Sequence, residues 1–124
     1  MKTYKALTEE IKKISKQKAG KRNEPFKLTP HLEVYHKDCE GILNWFKAAD
    51  FCKNLGEGWR LPTKEELNLL YLHKDKIGGF VEASYWSSTE ASAYDAWRQN
   101  FINGNQFNDG KNGTSYYVRA VRSI

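Results

Sequence analysis

The spacing of apolar residues predicts three helices in the first 73 positions. Leu7, Ile11 and Ile14 recur at helical spacing among lysines, which predicts a short basic helix. Residues 44–56 carry an apolar stripe that ends at a glycine, and residues 64–73 carry a second apolar stripe. The first part of the chain is therefore expected to be mainly helical.

From residue 84 onward the pattern changes to short aromatic and β-branched runs. Three turn signals separate these runs, at Asn103-Gly104, Asp109-Gly110 and Asn112-Gly113. The first signal lies between WRQNFI and NQF and predicts a β-hairpin. Residues 116–122 are apolar on both faces, which is typical of a central strand, whereas the alternation over 31–37 predicts an edge strand.

The stretch GWRLPTKEEL, which begins at position 58, predicts the start of the helix over 64–73. Pro62 ends any helix before it, Thr63 is placed as the N-cap, and Glu66 completes a capping box three residues later. Arg60 stands between two apolar residues and is expected to pair with a carboxylate. The motif therefore predicts scaffolding rather than a catalytic site.

The length of 124 residues fits one domain, and the basic residues are concentrated at its start. Residues 1–27 hold nine basic and three acidic side chains, whereas residues 28–124 hold 11 and 12. The net charge of +5 is therefore a property of the N-terminal arm. We predict a basic arm over 1–27, containing the short helix, and a nearly neutral domain over 28–124.

The first residues, MKTYKALTEEIKK, lack the apolar centre of a signal peptide. No apolar run approaches the ~20 residues that cross a bilayer, so no membrane span is expected. As written, the sequence is expected to be cytoplasmic, with Cys39 and Cys52 as free thiols. A cell-surface or virion location is the alternative if the chain is trimmed or phage-encoded, and the two cysteines would pair in a secreted protein.

Several segments resemble the Legionella collagen-like (Lcl) C-terminal domain family over about residues 29–122. They are NWFKAADFCKNLGEGWRLPTKEELNLLY, IGGF, YWSSTE, AWRQNFINGNQFN and YYVRAVR, in the family's order. The similar Fibrobacter paralogous domain shares the pattern. The resemblance implies an α+β, C-type-lectin-like fold, also found in formylglycine-generating enzymes, with two helices packed on a twisted antiparallel sheet.

The same resemblance implies a ligand-binding or adhesive module of bacterial surface proteins. Many similar proteins are encoded by phages or prophages. Some are variable proteins of diversity-generating retroelements, in which positions of the C-terminal sheet are diversified to change the ligand. The resemblance therefore favours recognition of a protein or a glycan.

The residue types argue against an enzyme. Formylglycine-generating enzymes use a cysteine near the end of the domain, whereas Ala120 stands at that place here and no cysteine follows Cys52. The three histidines lie outside any nucleophile signature. We therefore expect no enzymatic activity.

Metal binding is also weakly supported by the sequence. The only soft-ligand set has a single closely spaced pair, and consists of His36, Cys39, Cys52 and His73. Calcium could be bound by three neutral side-chain oxygens and one carboxylate, those of Asn105, Asn108, Asn112 and Asp109. No cofactor is expected, and calcium is kept as the alternative.

The strands after residue 84 are rich in Tyr, Ser and Asn, as antibody paratopes are. Trp59 and Trp86 are predicted to lie in the core, and Trp97, which has polar neighbours, is predicted to be exposed. The residues expected to bind a ligand are Tyr94, Asp95, Trp97, Arg98, Asn100, Asn105, Phe107, Asn108 and Tyr116. The alternative explanation is a loop-rich β region that needs turn-forming residues.

Two further sets of basic residues, the arginines near the end of the chain and the basic arm, are interpreted differently. Arg119 and Arg122 are predicted to be structural and to pair with Glu65 or Glu66. The arm could instead bind nucleic acid through phosphate contacts, as a regulator or inhibitor would, using Lys12, Lys13, Lys16, Lys18, Lys21 and Arg22. The arm has few aromatic residues, so base recognition is not expected.

Overall fold

A computed structural model of the chain describes residues 23–124. Within them lie β1 (Phe26–Thr29), β2 (Leu32–Val34), α1 (Trp45–Asn54), α2 (Lys64–Leu72), α3 (Lys74–Ile77), β3 (Ser84–Glu90), β4 (Asp95–Asn100), β5 (Gln106–Gly110) and β6 (Val121–Ser123). The predicted α+β class is confirmed, and the arrangement is compatible with a C-type-lectin-like fold. The basic helix predicted around Ile11 lies outside the described residues.

The described strands form two antiparallel sheets, in the orders β1-β2-β6 and β3-β4-β5. The prediction of an edge strand over 31–37 is wrong, because β2 lies between β1 and β6. Strand β1, which pairs with β2, begins at Phe26, two residues before the predicted start of the domain at residue 28.

The prediction of a central strand over 116–122 is wrong in detail, because only Val121–Ser123 form a strand there. The preceding residues form backbone hydrogen bonds with β3 and with the loop that follows β2, and they lead into β6. Tyr117 accepts a hydrogen bond from the backbone of Trp86 at 3.1 Å, and Val118 accepts one from Cys39 at 3.0 Å. Because this segment connects two sheets, it is deeply buried without keeping the register of either one.

Two hydrophobic clusters fill the fold. One packs around Trp59 and Trp86 and includes the buried side of α1, so both tryptophans are in the core as predicted. The other packs around Tyr85 and Phe101 and includes α2. Strand β3 therefore contributes to both clusters, since Trp86 lies in the first and Tyr85 in the second. Strand β5, at the edge of the same sheet, is left largely exposed.

The hairpin predicted at Asn103-Gly104 is confirmed, because β4 and β5 pair in register on either side of it. Gly104 has a φ of 83°, a value that favours glycine. The turn predicted at Asp109-Gly110 is wrong, since both residues lie in β5 opposite β4. The chain instead turns just after the strand, over residues 111–113.

The capping box at the start of α2 is confirmed. The Thr63 hydroxyl accepts a hydrogen bond from the backbone of Glu66 at 3.1 Å, and the Glu66 carboxylate accepts one from the backbone of Thr63 at 2.9 Å. The same carboxylate receives two hydrogen bonds from Arg60, at 2.6 and 2.9 Å. The hydrogen bonds from Arg60 lower the pKa of Glu66 despite its partial burial. The motif thus anchors the helix.

We expect Thr63→Ala to lower the free energy of unfolding by about 1 kcal/mol, because one backbone donor of the helix loses its partner. Urea denaturation measures this change, and ligand binding should be unaffected. Loss of binding at an unchanged melting temperature would contradict the structural role.

Candidate functional site

The central strand β4 of sheet β3-β4-β5 carries an arginine, Arg98, held by polar partners. The Arg98 Nε donates to Asp109 Oδ2 at 2.8 Å, and its Nη1 donates to Ser84 Oγ at 3.1 Å. The Tyr116 hydroxyl donates to the same Asp109 oxygen at 2.6 Å. The hydrogen bonds of Nε and Nη1 fix the guanidinium in position, and its Nη2 takes no part in either of them.

Two aromatic rings flank this guanidinium. The ring of Phe107 lies 4.9 Å from the Arg98 Cζ, and the ring of Tyr116 lies 5.2 Å from it. Tyr116 packs edge-on against Trp86 in the core, whereas Phe107 is 49% exposed. This arrangement offers a hydrogen-bond donor next to an accessible apolar ring, which suits contact with a protein or a sugar.

The charge of Asp109 is maintained by its two partners. Burial disfavours the ionised carboxylate, but the hydrogen bonds from Tyr116 and Arg98 outweigh that effect and lower the pKa of Asp109. Burial and the hydrogen bond to Asp109 raise the pKa of Tyr116, so its hydroxyl keeps its proton. The cluster therefore presents one neutralised ion pair and a neutral phenol.

The turn between β3 and β4 carries Tyr94, which is 82% exposed. The Ser92 hydroxyl accepts hydrogen bonds from the backbone of Tyr94 and of Asp95, each at 3.1 Å. The Asp95 carbonyl accepts from Ala91 at 2.9 Å, and the Tyr94 carbonyl accepts from the backbone of Lys111 at 2.8 Å. The ring is thus exposed on a backbone that is hydrogen-bonded throughout.

Lys111 fixes this turn from beneath. Its side chain is almost fully buried, and its Nζ donates to Glu90 at 2.6 Å and to the Ala93 carbonyl at 3.0 Å. The Nζ also lies 4.7 Å from the Trp45 ring centroid. Sequence reasoning did not identify Lys111, because lysine is rarely buried and its partners lie far away in the sequence.

Trp97 is not the exposed aromatic that the sequence predicted. It is half-buried, and the Lys64 Nζ lies over its ring at 3.6 Å from the centroid. Lys64 begins α2, whose N-terminus therefore covers this side of β4. Polar neighbours in the sequence indicated exposure, but the cover comes from another element.

The nine predicted ligand-binding residues are divided between the two faces of the sheet. The arginine face, defined by Arg98, Phe107 and Asp109, also carries Asn100 by strand alternation, and Tyr116 packs against it. The opposite face carries Asp95, Trp97 and Asn108. Asn105 lies in the exposed hairpin loop and Tyr94 in the turn at the other end of β4.

Strand β5 and the residue after it connect the arginine face with Tyr94. From Phe107 to Lys111, which bonds to Tyr94, the chain spans about 13 Å at ~3.3 Å per residue. We name this set, Tyr94, Arg98, Phe107 and Tyr116, the recognition surface.

The chain's sequence matches the profile of the Lcl C-terminal domain over residues 13–122. The chain belongs to the Lcl C-terminal domain family. A search of curated proteins finds no match. The matched range of this Lcl domain begins inside the predicted arm, before the first described residue.

The arginines near the end of this Lcl domain are structural, but their predicted partners are wrong. Arg119 pairs with Asp38 at 2.7 Å, and Arg122 Nε donates to Glu33 at 2.6 Å. Glu66 is occupied by Arg60. Arg122 also lies over the Trp59 ring, at 4.5 Å from its centroid.

The thiols of this Lcl domain are free and buried. Burial raises the pKa of Cys39, with further contributions from Asp38 and Glu40, and burial raises the pKa of Cys52 to about 12. His36 stacks on Tyr35 with ring centroids 4.4 Å apart, and burial lowers its pKa. Over residues 23–124, no three His, Cys, Asp or Glu side chains are grouped as metal ligands would be.

The residues predicted as calcium ligands are not grouped around a common point. Asp109 is bound by Arg98 and Tyr116, and Asn105 and Asn108 are exposed near the hairpin.

The helices described here are all too short or too polar to cross a membrane.

Proposed function

We propose that this Lcl domain is a non-enzymatic module that binds a protein or a glycan through the recognition surface. Tyr94 and Phe107 supply accessible ring area, and Arg98, beside the Phe107 ring, supplies a positioned hydrogen-bond donor. Rigid aromatic rings combined with adaptable polar groups are the usual chemistry of binding surfaces.

The exposure of Tyr94 on a fixed turn is the observation that carries this proposal. A ring that is 82% exposed gains little from burial, so it contributes little to folding. Its backbone is nevertheless held by hydrogen bonds with Ser92 and Lys111. A ring presented on a preorganised backbone loses little conformational entropy when a partner covers it.

The state of the cysteines supports the non-enzymatic part of the proposal. Thiolate catalysis requires a lowered pKa and access to the sulfur. Cys39 and Cys52 are buried, and the pKa of each is raised. Neither thiol has the surroundings of a nucleophile.

A protein partner is tested by placing a photo-crosslinking amino acid at position 94 of the full chain. The matched control carries the same group at Glu57, an exposed residue outside the recognition surface. After illumination with candidate extracts, mass spectrometry should identify one protein linked at 94 and absent at 57. Equal capture at both positions would contradict binding through the recognition surface.

A glycan ligand and the nucleic-acid alternative are tested with two further variants of the full chain. Tyr94→Ala/Phe107→Ala should abolish any signal on a glycan array. Replacing the six basic residues of the arm, from Lys12 to Arg22, with glutamine should not affect that signal. Salt-sensitive binding to a short DNA duplex that is lost only in the second variant would favour the arm as the functional site.

A further inference from the structure

The chain contains two Asn-Gly pairs in exposed turns, and their hydrogen bonding differs. Asparagine followed by glycine is prone to deamidation, because glycine has no side chain to shield its backbone nitrogen. The reaction requires a free Asn amide and a glycine nitrogen that can approach it. Hydrogen bonds and packing that fix either group therefore protect the pair.

Asn103-Gly104 is fixed on both sides. The Gly104 N–H donates to the Asn100 carbonyl at 2.8 Å, and the Asn103 Oδ1 accepts from the backbone of Asn105 at 2.9 Å. A Cβ placed at Gly104 would stand 2.7 Å from the Tyr71 ring, so the backbone is also packed against α2. Attack at this pair would require both bonds to open within a packed loop.

Asn112-Gly113 lacks these restraints. Both residues are exposed, and a Cβ placed at Gly113 would have no other atom within 4 Å. Within residues 23–124, neither the Asn112 side-chain amide nor the Gly113 N–H has a hydrogen-bond partner. The turn therefore leaves both reacting groups open to solvent.

We propose that Asn112 is a site of spontaneous deamidation and that Asn103 is protected. The Gly113 nitrogen loses its proton and bonds to the Asn112 Cγ, and the bond from Cγ to the amide nitrogen breaks. That nitrogen leaves as ammonia, and a succinimide ring remains. Water then opens the ring to aspartate or isoaspartate, so the reaction requires no oxidant or enzyme.

The modification falls within the segment that joins two parts of the recognition surface. Residues 111–113 lie between Phe107 in β5 and Tyr116, whose hydroxyl donates to Asp109. Deamidation adds one negative charge to this turn, and isoaspartate adds one carbon to its backbone. Ageing of the chain therefore changes the charge and span of a turn that supports Tyr116.

The full chain offers an internal comparison for the test. Trypsin cleaves after Arg98 and Lys111, so Asn103 falls in residues 99–111 and Asn112 in residues 112–119. The chain is incubated at mildly alkaline pH, folded in one sample and in concentrated urea in another. Mass spectrometry of the two peptides then measures the conversion of amide to acid at each site.

In the folded chain, Asn112 should convert about tenfold faster than Asn103, because two hydrogen bonds must open together at the protected pair. In urea the two rates should become comparable, since both protecting bonds are lost. Gly113→Ala should slow conversion at Asn112 alone. Equal rates in the folded chain, or faster conversion at Asn103, would overturn the proposal.

Discussion

Replacing Arg119 with methionine is expected to lower the free energy of unfolding by about 3–5 kcal/mol. Arg119 is fully buried, and its Nε donates to Asp38 at 2.7 Å. Its Nη1 and Nη2 both donate to the Gly78 carbonyl at 3.2 Å. Methionine keeps much of the volume but removes every donor, including the one to the Tyr35 carbonyl, so a buried carboxylate and two carbonyls lose partners. Urea denaturation measures the loss.

Arg122→Met is the matched control. It changes the same residue type three positions later, in a side chain that is 36% exposed and pairs with Glu33. Water screens an accessible pair, so we expect a loss of about 1 kcal/mol or less. Equal losses in the two variants would contradict a special role for the buried pair.

The effect of Arg119→Met should also depend on pH. Burial raises the pKa of Asp38, and Arg119 and Tyr85 oppose that rise. Without Arg119 the pKa rises further, so the folded variant binds a proton more readily than its unfolded chain does. The deficit relative to the unmodified protein should therefore shrink as pH falls from about 7 towards about 5. A deficit that does not change with pH would assign the loss to packing alone.

The features that the sequence predicted correctly depend on neighbours within a few positions. The capping box joins Thr63 to Glu66, and the Asn103-Gly104 hairpin joins adjacent strands. In both cases the interacting groups are close in the chain, so residue type and spacing are sufficient evidence.

The features that were mispredicted depend on distant partners. Asp38 lies 81 positions from Arg119, and from charge alone Glu65 and Glu66 were equally suitable partners. Strand β1 was not predicted, and the domain boundary was placed within it, yet it pairs with β2 and makes that strand central. Long-range pairing decides both outcomes, and no local pattern records it.

The surface proposed for binding lies in the region that composition indicated, but its geometry could not be predicted from the sequence. Composition indicated the strands after residue 84, and those strands carry both Tyr94 and Phe107. The sequence did not show which face of the sheet is accessible, because the side chain that covers Trp97 is Lys64, at the start of α2. Which aromatic ring is accessible therefore depends on how the helix packs against the sheet.

Tyr94→Ala is expected to weaken binding of the partner identified by crosslinking by about 2 kcal/mol or more, roughly 30-fold in Kd. The ring is exposed on a hydrogen-bonded backbone, so its truncation removes contact area without changing the fold. The free energy of unfolding should stay within about 0.5 kcal/mol of the original value. Isothermal titration calorimetry and urea denaturation measure the two quantities.

Leu72→Ala provides the comparison, since Leu72 is 62% exposed at the end of α2 and lies outside the recognition surface. It removes a comparably exposed apolar side chain, so a general loss of surface hydrophobicity would weaken binding in both variants. Binding through the recognition surface predicts a loss for Tyr94→Ala alone. Unchanged affinity in the Tyr94 variant would show that this ring does not contact the partner, and the function proposed for the turn would then be wrong.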